Sequence, residues 1–447
     1  MSSQICSRGG AACALTLGVC MLWSAAARAE LTVAEKNGWR LYTEGRINTF
    51  ASLGFGEDFP TPPPGSSYSI VGEGAPGAAG QNTEQDDVDN EYFAVRGRNG
   101  FMSTILGLGM VRDLTPTTKV RGYIALWGHA ESYDRSRSYT SELDVREGYV
   151  NFDGPWGAFN AGRMLGLFGR ISTEIDFNYG HNFGLGNPCG DIQGPTCGHI
   201  GTGVMFPGFA SGFSYATPKL AGVQLQVGIF DPVRVLGAWN RAPMPRPEGA
   251  LTFEQKLGAT NLLKLQLEGM WQPVARGTVD EAGVADTVTS KVWGAAAGGR
   301  VEVGPVRFGA AAFMGQGLGQ YYALQNSPVA FNTSTKELRF FKGLYAQAAL
   351  VLGRVQLAAG AGQVRVDELD ADKTNGSLSN AKSQTGLSAA VYYGLSDNLV
   401  LGLDYFRFQT DWYGAPIVDP TTMAVTGRHA PERQVVNYIN AGATYHW

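Results

Sequence analysis

The stretch NYINAGATYHW, residues 437–447, ends the chain in a strict alternation of two kinds of side chain. One set of alternate positions is mostly apolar and consists of Ile439, Ala441, Ala443, Tyr445 and Trp447. The other set is mostly polar and consists of Tyr438, Asn440, Gly442, Thr444 and His446. A strand sends successive side chains to opposite faces, so the stretch predicts a strand with one apolar and one polar face. Chain termini often fray into solvent, whereas this one finishes on an aromatic residue that belongs to the pattern.

The same alternation recurs along the whole chain, for example in 39–55, 118–132 and 262–272. In the last of these, three leucines alternate with Lys264, Gln266 and Glu268. A β-sandwich would bury that polar face and could not tolerate unpaired charges there. A barrel in a membrane reverses the faces, because its apolar side meets lipid and its polar side lines a water-filled lumen. The pattern therefore predicts an all-β fold, a transmembrane antiparallel β-barrel.

The connections between the predicted strands alternate between short and long. Seven short turns are predicted at 112–117, 153–156, 217–222, 258–261, 303–306, 352–354 and 395–398. Long stretches rich in Gly, Pro or Asp are predicted as loops at 56–90, 231–248, 276–288, 316–337, 367–383 and 413–432. Seven turns at one end imply eight hairpins and about sixteen strands. A barrel leaves no unpaired edge in lipid, so the last strand should pair with the first.

The N-terminus has the features of a secretory signal peptide over residues 1–29. An apolar run at 11–27 leads to an A-x-A cleavage site, Ala27–Ala29, before Glu30. LGVC at 17–20 resembles a lipoprotein motif, but Val19 is unfavourable before the cysteine. The barrel domain is then 30–447. No internal stretch reaches the roughly 18 apolar residues of a membrane helix.

Composition excludes other classes of function. The chain has a net charge of -4 and no run of Lys or Arg, which argues against a nucleic-acid partner. Removing Arg8 and Arg28 with the signal peptide reduces 35 basic residues to 33, against 39 acidic ones. This balance predicts mild ion selectivity. G-x-S-x-G, H-E-x-x-H and P-loop motifs do not occur, so we predict no enzyme and no cofactor.

Two cysteines remain after the signal peptide, Cys189 and Cys197, and they enter an oxidising compartment. We predict that they form a disulfide within a loop rich in Gly and Pro. A zinc site that includes His181 and His199 is the alternative, but the spacing differs from that of zinc ribbons.

The stretch VREGYVNFDGPWGAFNAGRMLGLFGR, residues 145–170, resembles the general diffusion porins of Gram-negative bacteria. The matching residues are Arg146, Tyr149, Val150, the turn at 154–157 and Gly162-Arg163. The terminal strand resembles the porin sorting signal, with Trp447 in place of the usual Phe, and 394–408 resembles the penultimate hairpin. The resemblance implies a homotrimer of sixteen-stranded barrels among the lipids and lipopolysaccharide of the outer membrane. Each barrel would pass small hydrophilic solutes and ions.

The resemblance also implies that the third loop folds into the pore, here over 163–203. In the family, acidic groups on this loop face an arginine cluster on the wall. Glu44 occupies a first-strand position where the family often has lysine, which favours cations. Charged residues expected at the constriction are Arg146, Arg96, Arg98, Arg46 and Glu44 on the wall, Arg163 at the start of the loop, and Glu174 and Asp176 on the loop. The alternative interpretation is that they are solvated lumen residues in weak salt bridges.

The sequence leaves two alternative functions open. A substrate-selective porin would use the same fold, and Tyr123 and Trp127, on one predicted face, could begin an aromatic sugar path. Other aromatic residues near strand ends favour anchoring at the membrane interfaces. A closed barrel could instead act as a surface adhesin or receptor through 56–90 and 413–432. The resemblance implies that the first of these loops contacts a neighbouring subunit.

Overall fold

Strands dominate the computed structural model, which contains twenty-two strands and two short helices over the residues that it describes. These residues are 30–61, 67–68, 91–100, 104–129, 142–177, 198–232, 239, 241–258, 260–279, 283, 285–318, 331–332, 334–374, 378–419, 421–422 and 424–447. The predicted signal peptide, His181 and both Cys189 and Cys197 lie outside them. Among the described residues, no helix has the length and hydrophobicity needed to cross a membrane.

The strands of the first half precede and follow one helix. They are β1 Leu31–Lys36, β2 Trp39–Glu57, β3 Ser67–Tyr68, β4 Glu91–Arg98, β5 Thr104–Thr115, β6 Thr118–His129, β7 Glu142–Gly154, β8 Gly157–Leu165, β9 Phe209–Ala216, β10 Val223–Phe230 and β11 Arg246–Lys256. Helix α1, Arg170–Glu174, lies between β8 and β9.

The second half continues in the same way. Its strands are β12 Leu262–Val279, β13 Ala285–Val303, β14 Val306–Gln316, β15 Phe340–Leu352, β16 Val355–Val366, β17 Leu378–Ser379, β18 Ala381–Gly394, β19 Leu399–Trp412, β20 Pro416–Val418, β21 Val425–Arg428 and β22 Arg433–His446. Helix α2, Asp370–Thr374, follows β16.

Eighteen strands form one closed antiparallel sheet. In two places, two strands lie end to end and together occupy one position in the wall. On one side of β2 these strands are β4 and β5, and on the other side they are β22 and β1. The barrel therefore has sixteen wall positions, as the alternation of turns and loops predicts. β3 and β17 form a separate parallel pair, and β20 and β21 form a small hairpin.

The end of the chain closes the barrel. β22 pairs with β2 from Arg46 opposite His446 to Gly56 opposite Val436. Gly45 and Trp447 then exchange two backbone hydrogen bonds of 3.1 Å each. A Cβ on Gly45 would lie within 3.0 Å of the Trp447 ring, so only glycine leaves room for that ring. The predicted pairing of the last strand with the first is confirmed.

The seven predicted short turns all connect neighbouring barrel strands at one end. The stretches between paired strands are 116–117, 155–156, 217–222, 257–261, 304–305, 353–354 and 395–398. The predicted loop 276–288 is wrong, because β12 and β13 remain paired as far as Val279 and Ala285. Thr278, Thr287 and Val288 are β-branched, which favours an extended hairpin over an irregular loop.

The two faces of the wall have the predicted polarity. Leu265 and Leu267 are 48% and 58% exposed on the outside, whereas Gln266 and Glu268 are 4% and 5% exposed on the inside. The same inversion holds in β22, where Ile439 and Tyr445 face outward and Asn440 and Thr444 face inward. The alternation of 437–447 is therefore the alternation of an outer surface and a lumen.

The chain between β8 and β9, here called the inner loop, lies inside the barrel. Residues 166–177 and 198–208 of this loop are described, so it begins and ends later than the expected 163–203. Small residues on the inner wall make room for it. A Cβ on Gly294 would meet the Phe168 ring, one on Gly298 would lie 2.9 Å from Ile171, and one on Gly309 would lie 3.1 Å from Ile175.

Candidate functional site

Two wall carboxylates hold the first arm of the inner loop. Glu248 on β11 accepts hydrogen bonds from the backbone amides of Leu167 and Phe168, at 2.6 and 3.1 Å. Glu268 on β12 accepts from the amides of Gly169 and Ile171, each at 2.7 Å. All four amides are buried. A carboxylate that accepts two amide protons is a strong anchor, so the loop is fixed to the wall where it enters the lumen.

A second anchor joins the two arms of the inner loop to the opposite side of the wall. The Asp176 carboxylate lies 2.8 Å from Nδ1 of His199, and Tyr345 Oη on β15 lies 2.9 Å from the same nitrogen. The His199 ring stacks on Phe406 of β19 at 5.3 Å. Asp176 and His199 are each 1% exposed. Asp176 therefore holds the loop and does not present its charge to the open lumen, which corrects the sequence assignment.

Glu174 is the other acidic residue expected on the loop. It lies in α1 and forms an ion pair with Lys264 of β12, and both side chains are about one-fifth exposed, at 23% and 20%. The acidic charge of the loop is thus balanced by the wall on which the loop rests.

The remaining inner wall is formed by β2, β5, β6 and β7, and its side chains lie in layers. Along β2 the inward residues are Arg40, Tyr42, Glu44 and Arg46. The strand register aligns each of these residues with particular residues of β5, β6 and β7, so that side chains from the four strands form layers at equal heights. The arginine layer is Arg40 and Arg121, the tyrosine layer is Tyr42, Tyr123 and Tyr149, and the glutamate layer is Glu44 and Glu147. The upper layer is Arg46, Trp127 and Asp144, and the guanidinium of Arg146 lies over the Trp127 ring.

The arginine layer carries its own counter-charge. Glu30 Oε2 lies 2.6 Å from Arg40 Nη2, and Glu30 Oε1 lies 3.5 Å from Arg121 Nη1. Both guanidinium groups lie over the Tyr42 ring, at 5.1 and 5.5 Å from its centroid. Tyr42 is consequently buried. This part of the wall combines an ion pair with cation–π contacts.

Glycines of β5 shape the tyrosine and glutamate layers. Gly109 lies under the Tyr42 ring and Gly107 lies under the Tyr123 hydroxyl, each too close for a Cβ. Tyr123 can therefore reach across β5 and donate a 2.9 Å hydrogen bond to Glu44 Oε1. Within the described residues, neither Glu44 nor Glu147 forms an ion pair.

A β-bulge in β7 determines where Arg146 points. The register shifts so that Glu147 pairs with Ala125 and Val145 pairs with Leu126, which leaves Arg146 without a partner residue in the ladder. A bulge changes the alternation locally, and both Arg146 and Glu147 face the lumen. Arg146 Nε lies 2.9 Å from Asp144 Oδ2, and its guanidinium covers the Trp127 ring at 4.8 Å.

The other expected arginines are placed differently from one another. Arg98 is 5% exposed on the inner face of β4, and Arg96 lies on the same face. Arg163 points outward. It lies on the same face of the sheet as Phe213 of β9, which is 59% exposed on the outside of the barrel. Met164 and Asn160 take the inward positions of β8, and strict alternation then sends Arg163 to the other face. The expected lumen position of Arg163 is corrected.

Sequence reasoning did not assign the wall anchors Glu248 and Glu268, or the loop cation Arg170, to the site. Glu248 occupies an inward position of β11 and could have been found by alternation, as Glu268 was. Arg170 donates to the backbone oxygens of Leu165 and Gly166 at 2.9 and 3.2 Å. The amides bound by Glu248 and Glu268 lie 81 and 99 residues away in the cases of Leu167 and Gly169, so no local pattern indicates these anchors. Among the described residues, no group of three or more His, Cys, Asp or Glu side chains could hold a metal ion.

Comparison with known structures supports the fold. The outer membrane channel DcaP of Acinetobacter baumannii matches with a TM-score of 0.59 at 15% identity, over 93% of this chain and 100% of that chain. An anion-selective porin from Comamonas acidovorans matches with a TM-score of 0.56 at 13% identity, over 92% and 100%. A Salmonella typhi OmpF complex with daunomycin matches with a TM-score of 0.53 at 12% identity, over 93% and 99%. At these identities, the likeness concerns the fold.

No curated protein matches the sequence. A family model described as Gram-negative porin matches residues 17–411, most of the chain. The matched region contains the bulged strand β7, the inner loop and both wall carboxylates that hold it. The chain belongs to the Gram-negative porin family and is a diffusion channel of the outer membrane.

Proposed function

We propose that the protein forms a passive, water-filled pore for small hydrophilic solutes and ions, narrowed by the inner loop. The supporting observation is that the loop is held inside a closed barrel by Glu248 and Glu268 and by the cluster of Asp176, His199 and Tyr345. The wall formed by β2, β5, β6 and β7 keeps a partly exposed polar lining. Solutes would pass between this lining and the loop. Family and fold favour a channel over an enzyme.

Selectivity would come from the size of this passage and from the charges that line it. We propose Glu44, Arg46, Arg96, Arg98 and Arg146 as wall residues of the constriction, with Glu174 on the loop. Charges in a narrow passage act more strongly than on an open surface, because the low-dielectric walls focus the field. Arg163 and Asp176 have no direct part in this lining.

We also propose that three copies of the barrel assemble. Arg163 is exposed on the outer face of β8. An arginine that faces lipid near the middle of a membrane costs about 2–4 kcal/mol, so contact with a second copy at this face is favourable. Cleavage after residue 29 and a disulfide between Cys189 and Cys197 remain predictions.

Single-channel recording of the refolded mature protein in a planar bilayer tests the proposal. We expect stable conductance steps that arrive in threes, one step for each pore of a trimer. A heat-denatured sample of the same protein is the control. Correctly folded barrels that give no current would contradict the proposal and would favour a surface function for a closed barrel.

A further inference from the structure

We propose that Glu44 and Glu147 determine the solute preference of the lumen, and that they favour solutes carrying an ammonium or guanidinium group. The inference rests on the proposed channel function and adds a class of solute to it. Glu147 belongs to no motif of the sequence, and it lies next to Arg146, the bulge residue of β7.

The two carboxylates face each other across a shallow part of the wall. They occupy one level of the register, Glu44 on β2 and Glu147 on β7, with Gly107 and Ala125 between them. Their backbones are separated by three strand spacings, or about 14 Å. Both side chains can extend over Gly107 and Ala125, because these two residues have no side chain or a very short one. Each carboxylate lies within electrostatic reach of the other. A cation placed between them would interact with both.

Several charges of the lumen wall have an ion-pair partner close by. Glu30 compensates Arg40 and Arg121, Asp144 compensates Arg146, and Lys264 compensates Glu174. Arg46, Arg96 and Arg98 each have an interaction of their own. Among the described residues, Glu44 and Glu147 have no ion-pair partner, and the single bond of Glu44 comes from a neutral hydroxyl. The two carboxylates are therefore not neutralised by a direct ion pair, although Arg46 and Arg170 lie within electrostatic reach of Glu147.

A buried polar group next to these carboxylates lacks a partner. Tyr42 is fully buried, and its hydroxyl, above Gly109 in the adjacent layer, has no hydrogen-bond partner in the described structure. Buried polar groups are normally satisfied. An unsatisfied hydroxyl beside the glutamate layer is expected if a solute or its water shell completes the site.

Aromatic faces add to the attraction for a cation. The rings of Tyr123 and Tyr149 lie 5.5 Å apart at an angle of 46° and line the neighbouring layer. Tyrosine rings attract ammonium and guanidinium groups through their negative faces. A small inorganic ion would use the carboxylates alone, whereas an organic cation could use both the carboxylates and the rings.

The inner loop opposes this site with Arg170. Its guanidinium donates to the oxygens of Leu165, Gly166 and Gln226, at 2.9, 3.2 and 3.3 Å. It lies within electrostatic reach of Glu147 but forms no ion pair in the part of the chain described. At this level an arginine lies on the loop and two carboxylates lie on the wall, in addition to the wall arginines and the loop Glu174 named above. Arg170 reduces the attraction for cations without removing it.

The test is the reversal potential in a KCl gradient, recorded for Glu44→Gln, Glu147→Gln and the double variant. We expect the ratio of K⁺ to Cl⁻ permeability to fall roughly three- to fivefold for each carboxylate removed, since one charge at about 4 Å in water has an effect of that size. Arg170→Gln should raise the ratio. Glu254→Gln is the matched control, because it removes the same charge from a pair with Lys219.

A second readout uses L-lysinamide as an organic cation. It should interrupt the current of the unmodified channel and of Glu254→Gln, and the interruptions should become much rarer in Glu44→Gln/Glu147→Gln. Equal ratios and equal interruptions in the double variant and the control would overturn the inference while leaving the channel function intact. An unmodified protein that conducts nothing would instead refute the channel function. Heat-modifiable mobility on a gel confirms that each variant is folded.

Discussion

Two neighbouring residues of β7, Arg146 and Glu147, both point into the lumen although a regular strand would turn one of them outward. The bulge at Arg146, opposite Ala125 and Leu126 of β6, causes this. Family resemblance predicts Arg146 from its motif, but it gives no reason to expect Glu147 beside it. A bulge is decided by how two strands pair, and the sequence of one strand does not reveal it.

Asp372 is the residue for which we expect the clearest dependence on pH. It accepts bonds from Arg339 Nη2 and Nε at 2.5 and 2.9 Å and from Asn332 at 2.6 Å, among the loops beyond β14 and β16. Burial acts to raise the pKa of Asp372, but the hydrogen bonds and charge of Arg339 outweigh it, so the pKa lies below its usual 3.8.

The sign of the effect follows from this direction. A carboxyl with a lowered pKa stabilises the folded state fully above about pH 4, and the contribution is lost as the pH falls through the folded pKa. Amide hydrogen exchange of residues 367–374, measured relative to the intrinsic exchange rate at each pH, should therefore accelerate as the pH falls below about 4. In Asp372→Asn it should be faster throughout and lack this acceleration. Asp370→Asn is the control, because Asp370 is exposed and pairs only with Lys373. A variant that retains the acceleration would argue against this role of Asp372.

At the scale of elements, the inner loop depends on contacts that no local sequence contains. Its presence and approximate place were predictable from length, glycine content and resemblance. Its attachment was not, because Glu248 and Glu268 lie about 80 to 100 residues after the amides that they bind, as separations of 81 and 99 show. The glycines of β13 and β14 that admit Phe168 and Ile171 are recognisable as spacers only after the loop is in place.

We expect Glu268→Gln to loosen the first arm of the inner loop. The glutamate accepts from Gly169 through one oxygen and from Ile171 through the other. Glutamine has only one acceptor oxygen, so one buried amide would lose its partner, at a cost of about 1–3 kcal/mol. Single-channel recordings should show more frequent fluctuations between conductance levels. The control Glu254→Gln should give the same current recordings as the unmodified channel. Steady currents from Glu268→Gln would show that the other anchors are enough to hold the loop in place.

At the scale of the whole molecule, stability depends on closing the sheet between β2 and β22. Gly45 lies at that seam, where a side chain would meet the Trp447 ring and the carbonyl of Ile105. We expect Gly45→Leu to lower the free energy of unfolding by about 1–3 kcal/mol through overpacking. Urea unfolding in detergent, followed by tryptophan fluorescence, measures this change.

Gly97→Leu provides the matched control for the seam. Gly97 also lies in a strand of the barrel, on β4, but a Cβ there would meet nothing within 4 Å. It should leave the unfolding transition close to that of the unmodified protein. Equal losses from both variants would mean that leucine disturbs the strand itself, and that the contact between Gly45 and Trp447 does not matter.

The sequence by itself determined the barrel, its strand number, its seven turns and the outward apolar face. Each of these follows from alternation with period two and from turn residues, which are local properties. Tertiary structure decided which charges meet in the lumen. Arg163 faces outward, Asp176 is buried against His199, and Glu44 and Glu147 share one level of the wall. Those relations depend on register between strands and on contacts between residues distant in sequence, and neither property is carried by any single stretch of the chain.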